Sequence, residues 1–126
     1  MTGGTLLFRQ INPSWIQQGR ITSQAFKPTP KDRFRLSVYD GDKITPSGAW
    51  THYTEKLNFT SVGVMAVTVQ DCQSLDLRVE PDPAPFPEHT VIVFEGFSGS
   101  QIETKAKVLK RAAEERGWQY QAETGG

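Results

Sequence analysis

One cysteine, Cys72, is all the thiol chemistry the chain carries. A single thiol closes no intrachain bridge, so a disulfide-stapled scaffold is excluded. Asp71 stands next to it, and a neighbouring carboxylate raises a thiol pKa, so no activated nucleophile is expected there. Histidine is almost as scarce. His52 and His89 share no tight spacing with each other or with Cys72, and neither a Cys-x-x-Cys nor a paired-histidine motif occurs, so no metal site is expected. Long apolar runs are missing too. The longest nearly apolar stretch, 62–69, is interrupted by Gly63 and Thr68 and falls far short of the roughly 18 residues of a membrane helix. Residues 1–9 have neither the basic start nor the apolar run of a signal peptide. A soluble cytoplasmic protein with no membrane partner is the expectation. Charge of one sign is also lacking: 14 Lys and Arg balance 14 Asp and Glu. That excludes a basic coat for nucleic acid and an acidic solvating tail. Gly-x-Gly-x-x-Gly, Walker and Gly-x-Ser-x-Gly motifs are absent; Gly96-Phe97-Ser98-Gly99 only approaches the last.

What is present suits one domain spanning 1–126, since 126 residues with 37% hydrophobic and 10% aromatic content can bury a core without metal or disulfides. Residues 5–11 alternate as a strand, with Leu7, Arg9 and Ile11 on one face and Leu6, Phe8 and Gln10 on the other. Asn12 and Pro13 start a short helical turn that Gly19 ends. A short strand is expected over 21–26 and a loop over 27–32, where Pro28 and Pro30 remove ladder donors. Residues 35–39 alternate Leu36 and Val38 with Ser37 and Tyr39. Thr45-Pro46 begins a helix reaching about residue 57, with His52 at a surface or core-edge position. Residues 62–70 read as a central strand buried on both faces, and 75–79 as a strand with one wet face. Four prolines within 81–87 make a stiff, extended connection. Residues 90–94 are another buried strand, which His89 caps. A capping box of Ser100 and Glu103 opens the last helix. Ile102, Ala106, Leu109 and Ala113 form its apolar stripe, Gly117 stops it, and Trp118 and Tyr120 add a final strand. The expected fold is α+β, a largely antiparallel sheet of five to seven strands with two helices packed on it.

Charge is balanced overall but segregated. Segment 9–35 holds six basic residues against Asp32, and segment 71–95 holds six acidic residues against Arg78. Either the two segments face each other, or the first is an anion site and the second meets a basic partner. Within the first, Lys27, Lys31, Arg33 and Arg35 sit on or beside an exposed loop and are the candidate binding residues. The 81–87 connection is a further surface on which a partner can dock. Gly96 to Ser100 leads from a strand into a helix start, where free amides attract anions, although Ser100 and Glu103 already satisfy those amides.

Two resemblances add to this. Leu6-Leu7-Phe8-Arg9-Gln10-Ile11-Asn12-Pro13, Gly19-Arg20-Ile21-Thr22-Ser23-Gln24-Ala25-Phe26 and Leu36-Ser37-Val38-Tyr39-Asp40 resemble a family of small, uncharacterised bacterial proteins. That implies a bacterial cytoplasmic protein. Arg9, Thr22-Ser23 and Glu95, each on or beside an expected strand, are similar in order to the Arg, Ser-Thr-Ser and Glu motifs of ADP-ribosyltransferase-like domains. This resemblance implies an NAD-using enzyme in which Arg9 grips the dinucleotide phosphates, Ser23 holds the nicotinamide side and Glu95 steadies the ribose cation. The chain ends Thr124-Gly125-Gly126, as ubiquitin-like and sulfur-carrier proteins do, but a frayed end is the plainer expectation.

The leading expectation is therefore a small binding or accessory protein, of an immunity type for example, that acts through a protein partner and needs no cofactor. The alternative is the NAD-using enzyme built on Arg9, Ser23 and Glu95. Nothing in the residues sets an oligomeric state.

Overall fold

Alternation along the first strand sets the two faces of the sheet. β1 (Leu6–Gln10) sends Leu7 and Arg9 to one side and Phe8 and Gln10 to the other. The structure, a computed structural model, describes residues 1–123; the Gly125-Gly126 ending lies outside them. After β1 comes a 3-10 turn over Pro13–Trp15, where the Asn12 side chain accepts from the Ser14 amide at 2.9 Å. A ribbon of β2 (Ile16–Gln17) and β3 (Arg20–Ile21) follows. Gln18 and Gly19, both at positive φ, turn it, so Gly19 makes a hairpin rather than ending a helix. The strand expected over 21–26 is also replaced. Past Ile21 the chain forms a 3-10 turn over Ser23–Phe26. Ala25 and Phe26 are both fully buried. A tight turn can bury two neighbours in one core, whereas a strand points them to opposite faces.

β4 (Arg35–Asp40) leads to α1 (Pro46–Thr51), capped by Thr45, whose hydroxyl accepts from the Gly48 amide at 3.1 Å. The expected helix continues to residue 56, but its second half, His52–Lys56, is wound wider as a π-turn. β5 (Gly63–Thr68) stops short of residue 70 because Thr68 and Asp71 form a capping box that starts α2 (Val69–Gln73). β6 (Arg78–Pro81) and β7 (His89–Val93) form a hairpin whose loop is the proline-rich segment. α3 (Gly99–Arg116) follows, then β8 (Tyr120–Gln121). The box at the start of α3 pairs Ser98 with Gln101, two residues before the expected pair. Ser98 has the extended backbone of a cap (φ −70°, ψ 164°), while Ser100 already lies within the helix.

The six main strands lie in the order β6-β7-β4-β1-β5-β8, every neighbouring pair antiparallel. The fold is α+β, an antiparallel sheet with helices packed on it. One face carries Leu7, Leu36, Val38, Val67 and Ile92 against Ile102, Ala106 and Leu109 of α3. The other carries Phe8, Tyr39, Val64 and Ala66 against Ala49, with Trp50, Tyr53 and Phe86 packed round them. At Gly63, β8 comes so close that a Cβ would stand 2.5 Å from the Tyr120 carbonyl oxygen. Among the described residues no helix is long and apolar enough to cross a membrane.

One irregularity positions everything that follows. β1 pairs with β5 along its whole length, Leu6↔Thr68 through Gln10↔Val64. With β4 it pairs only at Leu7↔Asp40 and Phe8↔Tyr39. Beyond Phe8 the two strands part, and a side chain, Arg9, spans the opening to the Ser37 carbonyl at 2.9 Å.

Candidate functional site

Where β1 and β4 part there is a cavity of about 480 Å³, lined by Arg9 and Gln10 from one strand and Ser37, Val38 and Tyr39 from the other. Tyr53, Leu57 and Phe59 from the π-turn and the loop beyond form one wall, and Pro85 and Phe86 of the proline-rich loop form another. That loop is a hairpin connection and a cavity wall rather than an extended spacer. It holds the Phe86 ring 5.1 Å from Tyr39, 4.6 Å from His52 and 5.1 Å from His89, centroid to centroid.

Arg9 sits at the base of the opening. Its Nε donates to the Ala25 carbonyl at 2.7 Å and its Nη1 to the Ser37 carbonyl at 2.9 Å. The guanidinium also lies 4.9 Å from the Trp15 ring centroid. Burial lowers its pKa to about 10, partly offset by Tyr53 and Asp32, so it stays charged at neutral pH. No carboxylate pairs with it within 4 Å among the described residues. Next to it Gln10 is 4% exposed, and neither atom of its amide has a hydrogen-bond partner. Burial raises the Tyr39 phenol well above its ordinary pKa, with Tyr53 and Glu88 adding to the effect. Its hydroxyl is hydrogen-bonded to His52 Nδ1 at 2.8 Å.

Ser37 is exposed on β4 and borders both this cavity and a shallower groove of about 220 Å³. The groove is lined by Lys31, Arg33 and Arg35 together with Asp32, Asp82 and His89. Arg33 and Phe34 are both left-handed, at φ 58°, and amide bonds from Arg33 to Pro30 and from Phe34 to Thr29, each 3.0 Å, hold that bend. Arg35 Nε is buried without a partner. Across β4, β7 and the end of β6, three side chains connect. His89 Nε2 lies 3.0 Å from Ser37 Oγ. Its Nδ1 lies 2.9 Å from the Asp82 main-chain oxygen and 3.4 Å from the Asp82 carboxylate. A carbonyl oxygen only accepts, so Nδ1 carries a proton, and in the singly protonated ring Nε2 presents its lone pair to the serine hydroxyl.

The residues singled out in the sequence fall in different places. Arg9 lines the large cavity, and Lys31, Arg33 and Arg35 line the adjoining groove. Lys27 is apart from them, ion-paired to Glu103 at 2.8 Å. Ser23 borders a separate groove with Arg20, Lys107 and Lys110, and its hydroxyl donates to Glu103 at 3.0 Å. Glu95 is exposed in the turn after β7. Arg9, Ser23 and Glu95 therefore do not share the cavity. No ion pair within 4 Å joins the basic and acidic segments among the described residues, although Asp82 shares the groove with the three cations. Cys72 is fully buried, and burial, then Asp71, pushes its thiol up to about 12. Among the described residues no group of His, Cys, Asp and Glu side chains is placed to hold a metal ion. Gln10, Ser37, Asp82 and His89 gave only indirect signals in the sequence. The alternation of β4 placed Ser37 beside Tyr39 on one face, Asp82 lies within the proline run and His89 follows it.

Compared with protein-family models, with curated proteins and with solved structures, the chain matches none.

Proposed function

We propose that the protein binds a small organic anion with a flat apolar body, held in the opening between β1 and β4. The buried, unpartnered amide of Gln10 carries this reading. An unpaired polar group kept from water costs about 1–3 kcal/mol, and natural folds keep few of them. A ligand group with one donor and one acceptor removes that cost. The neighbouring Arg9 cation has no carboxylate within 4 Å among the described residues and attracts negative charge, although Asp32 lines the same cavity farther off. Tyr53, Phe59 and Phe86 line the same cavity and suit a planar apolar body.

Benzoate and phenyl phosphate are direct probes. Either one raises the melting temperature of the wild-type protein at millimolar concentration, because ligand that binds only the native state stabilises it. Gln10→Met and Phe59→Ala reduce that shift; Phe59 is 57% exposed, so its truncation leaves the core intact. No shift with either probe overturns the proposal.

A protein partner is a second reading, favoured by one observation: Arg35 Nε is buried and unpartnered beside Lys31 and Arg33. Reversing charge at Arg33 and Arg35 then abolishes capture of an acidic partner and leaves benzoate binding unchanged. The NAD-using reading gains no support from the placement of Arg9, Ser23 and Glu95, since Glu103 engages Ser23 and Glu95 lies outside the cavity.

A further inference from the structure

We infer that Ser37, His89 and Asp82 form a hydrolytic centre for a carboxylic ester whose apolar part enters the β1–β4 cavity and whose anionic part lies along Lys31, Arg33 and Arg35. This rests on the binding reading for its substrate class but not for its chemistry.

The parts have the roles that acyl transfer needs. Ser37 Oγ is solvent-accessible and 3.0 Å from His89 Nε2. His89 is fixed in the right tautomer by the 2.9 Å contact of Nδ1 to the Asp82 main-chain oxygen, and the Asp82 carboxylate, 3.4 Å away, favours the imidazolium that forms during attack. The register explains how residues so far apart meet. Tyr39 pairs with His89, and Pro81 with Thr90, so Ser37, His89 and Asp82 lie on one sheet face across three neighbouring strands. The backbone of Asp82 donates to the His89 carbonyl at 3.0 Å, which closes the hairpin and holds acid and base side by side. Ser37 and His89 border both the cavity and the basic groove. A scissile carbonyl at Ser37 therefore has aromatic and apolar walls on one side and, on the other, three cations interspersed with Asp32 and Asp82. Gln10, which lines the cavity with an unpartnered amide N–H, is the donor available to the oxyanion.

The step balances with water as the only co-reactant. Ser37 Oγ bonds to the carbonyl carbon as its proton passes to His89 Nε2. The bond from that carbon to the alcohol oxygen breaks, and the alcohol leaves with the proton. Water then attacks the acyl-serine with His89 again as base, which releases the acid and returns the proton to Ser37.

Two measurements on the full chain test this. A fluorophosphonate probe bonds covalently to an activated serine with loss of fluoride, and peptide mass spectrometry locates the adduct. The expected site is Ser37, with labelling lost in Ser37→Ala and slowed about 100-fold or more in His89→Gln. Hydrolysis of 4-nitrophenyl acetate falls by a similar factor in both variants. In Asp82→Asn, where the main-chain oxygen still holds the ring, kcat falls while KM stays. Melting curves check that each variant is folded; where His89→Gln is not, Ser37→Cys reacts with iodoacetamide at neutral pH about 10-fold or more faster than free cysteine, and a rate no faster than free cysteine overturns the inference. Labelling of other serines, or hydrolysis unchanged in Ser37→Ala, overturns the inference. Benzoate binding without Ser37 labelling leaves the binding reading standing and removes the hydrolytic one; labelling without benzoate binding does the reverse.

Discussion

Gln10 sets the cost of the site at the scale of single residues. In the folded protein its amide is buried and bonds to no protein group. Replacing it by methionine, which has nearly the same shape and no polar group, removes that penalty. Gln10→Met therefore gains about 1 kcal/mol or more, read from the denaturant midpoint, while losing affinity for benzoate. A destabilised Gln10→Met would mean that the amide has a partner in the native state. Tyr39 gives a second prediction. Its pKa in the fold is raised above the unfolded value, chiefly by burial. The stability that this group supports is complete below the ordinary tyrosine pKa of about 10 and is lost as pH rises beyond it toward the folded value. Thermal unfolding of wild type thus weakens over that alkaline range, and Tyr39→Phe flattens the loss.

Elements show why parts of the fold were legible in the sequence and others were not. The stripe Ile102, Ala106, Leu109 and Ala113 is buried as its spacing predicts, because periodicity reports a face directly. The helix start was ambiguous. Ser98/Gln101 and Ser100/Glu103 both match a capping box, and only backbone geometry decides between them. Ser98→Ala accordingly costs about 0.5–2 kcal/mol in a chemical melt, while Ser100→Ala has little effect. Its acid is used elsewhere: Glu103 takes Lys27 and Ser23 and ties α3 to the 3-10 turn over Ser23–Phe26. The hydrogen bonds from Lys27 and then Ser23 hold its carboxyl below the usual range. Such a contribution is present above the ordinary carboxylate pKa and fades as pH falls through the lowered one. Lys27→Ala returns the Glu103 titration, followed by NMR, toward its ordinary value, with only a small change in stability because the pair is largely exposed. Local composition marked 81–87 as a proline-rich connection, but proline content alone does not tell an extended spacer from the hairpin loop that β6 and β7 make of it.

At the scale of the whole molecule the site is a defect in an otherwise regular sheet. β1 keeps all its pairing with β5 and loses part of its pairing with β4, and side chains rather than a ladder fill the gap. Neither hydrophobic period nor motif spacing encodes such a parting, because it depends on how a distant turn and loop pack over the strands. The same holds for Ser37, Asp82 and His89, which the register brings together from far apart in the chain. Arg9 was singled out through a motif resemblance, and its place beside Leu7 and Ile11 on the strand was legible; its partners, the Ala25 and Ser37 carbonyls, were not. The segregated charge was legible too: the basic loop flanks a groove that Asp82 of the acidic segment shares, with no ion pair within 4 Å between the two segments among the described residues.

The central claim is that this gap is built to receive a ligand group, and the side-chain amide signals of Gln10 test it most directly. In a 15N-resolved NMR titration with benzoate or phenyl phosphate, the account predicts that both Gln10 amide protons shift together with the backbone amides of Arg9, Ser37 and Tyr39, while signals from α3 stay in place. Gln10 signals that do not move at saturating probe, or shifts scattered over α3, would contradict it.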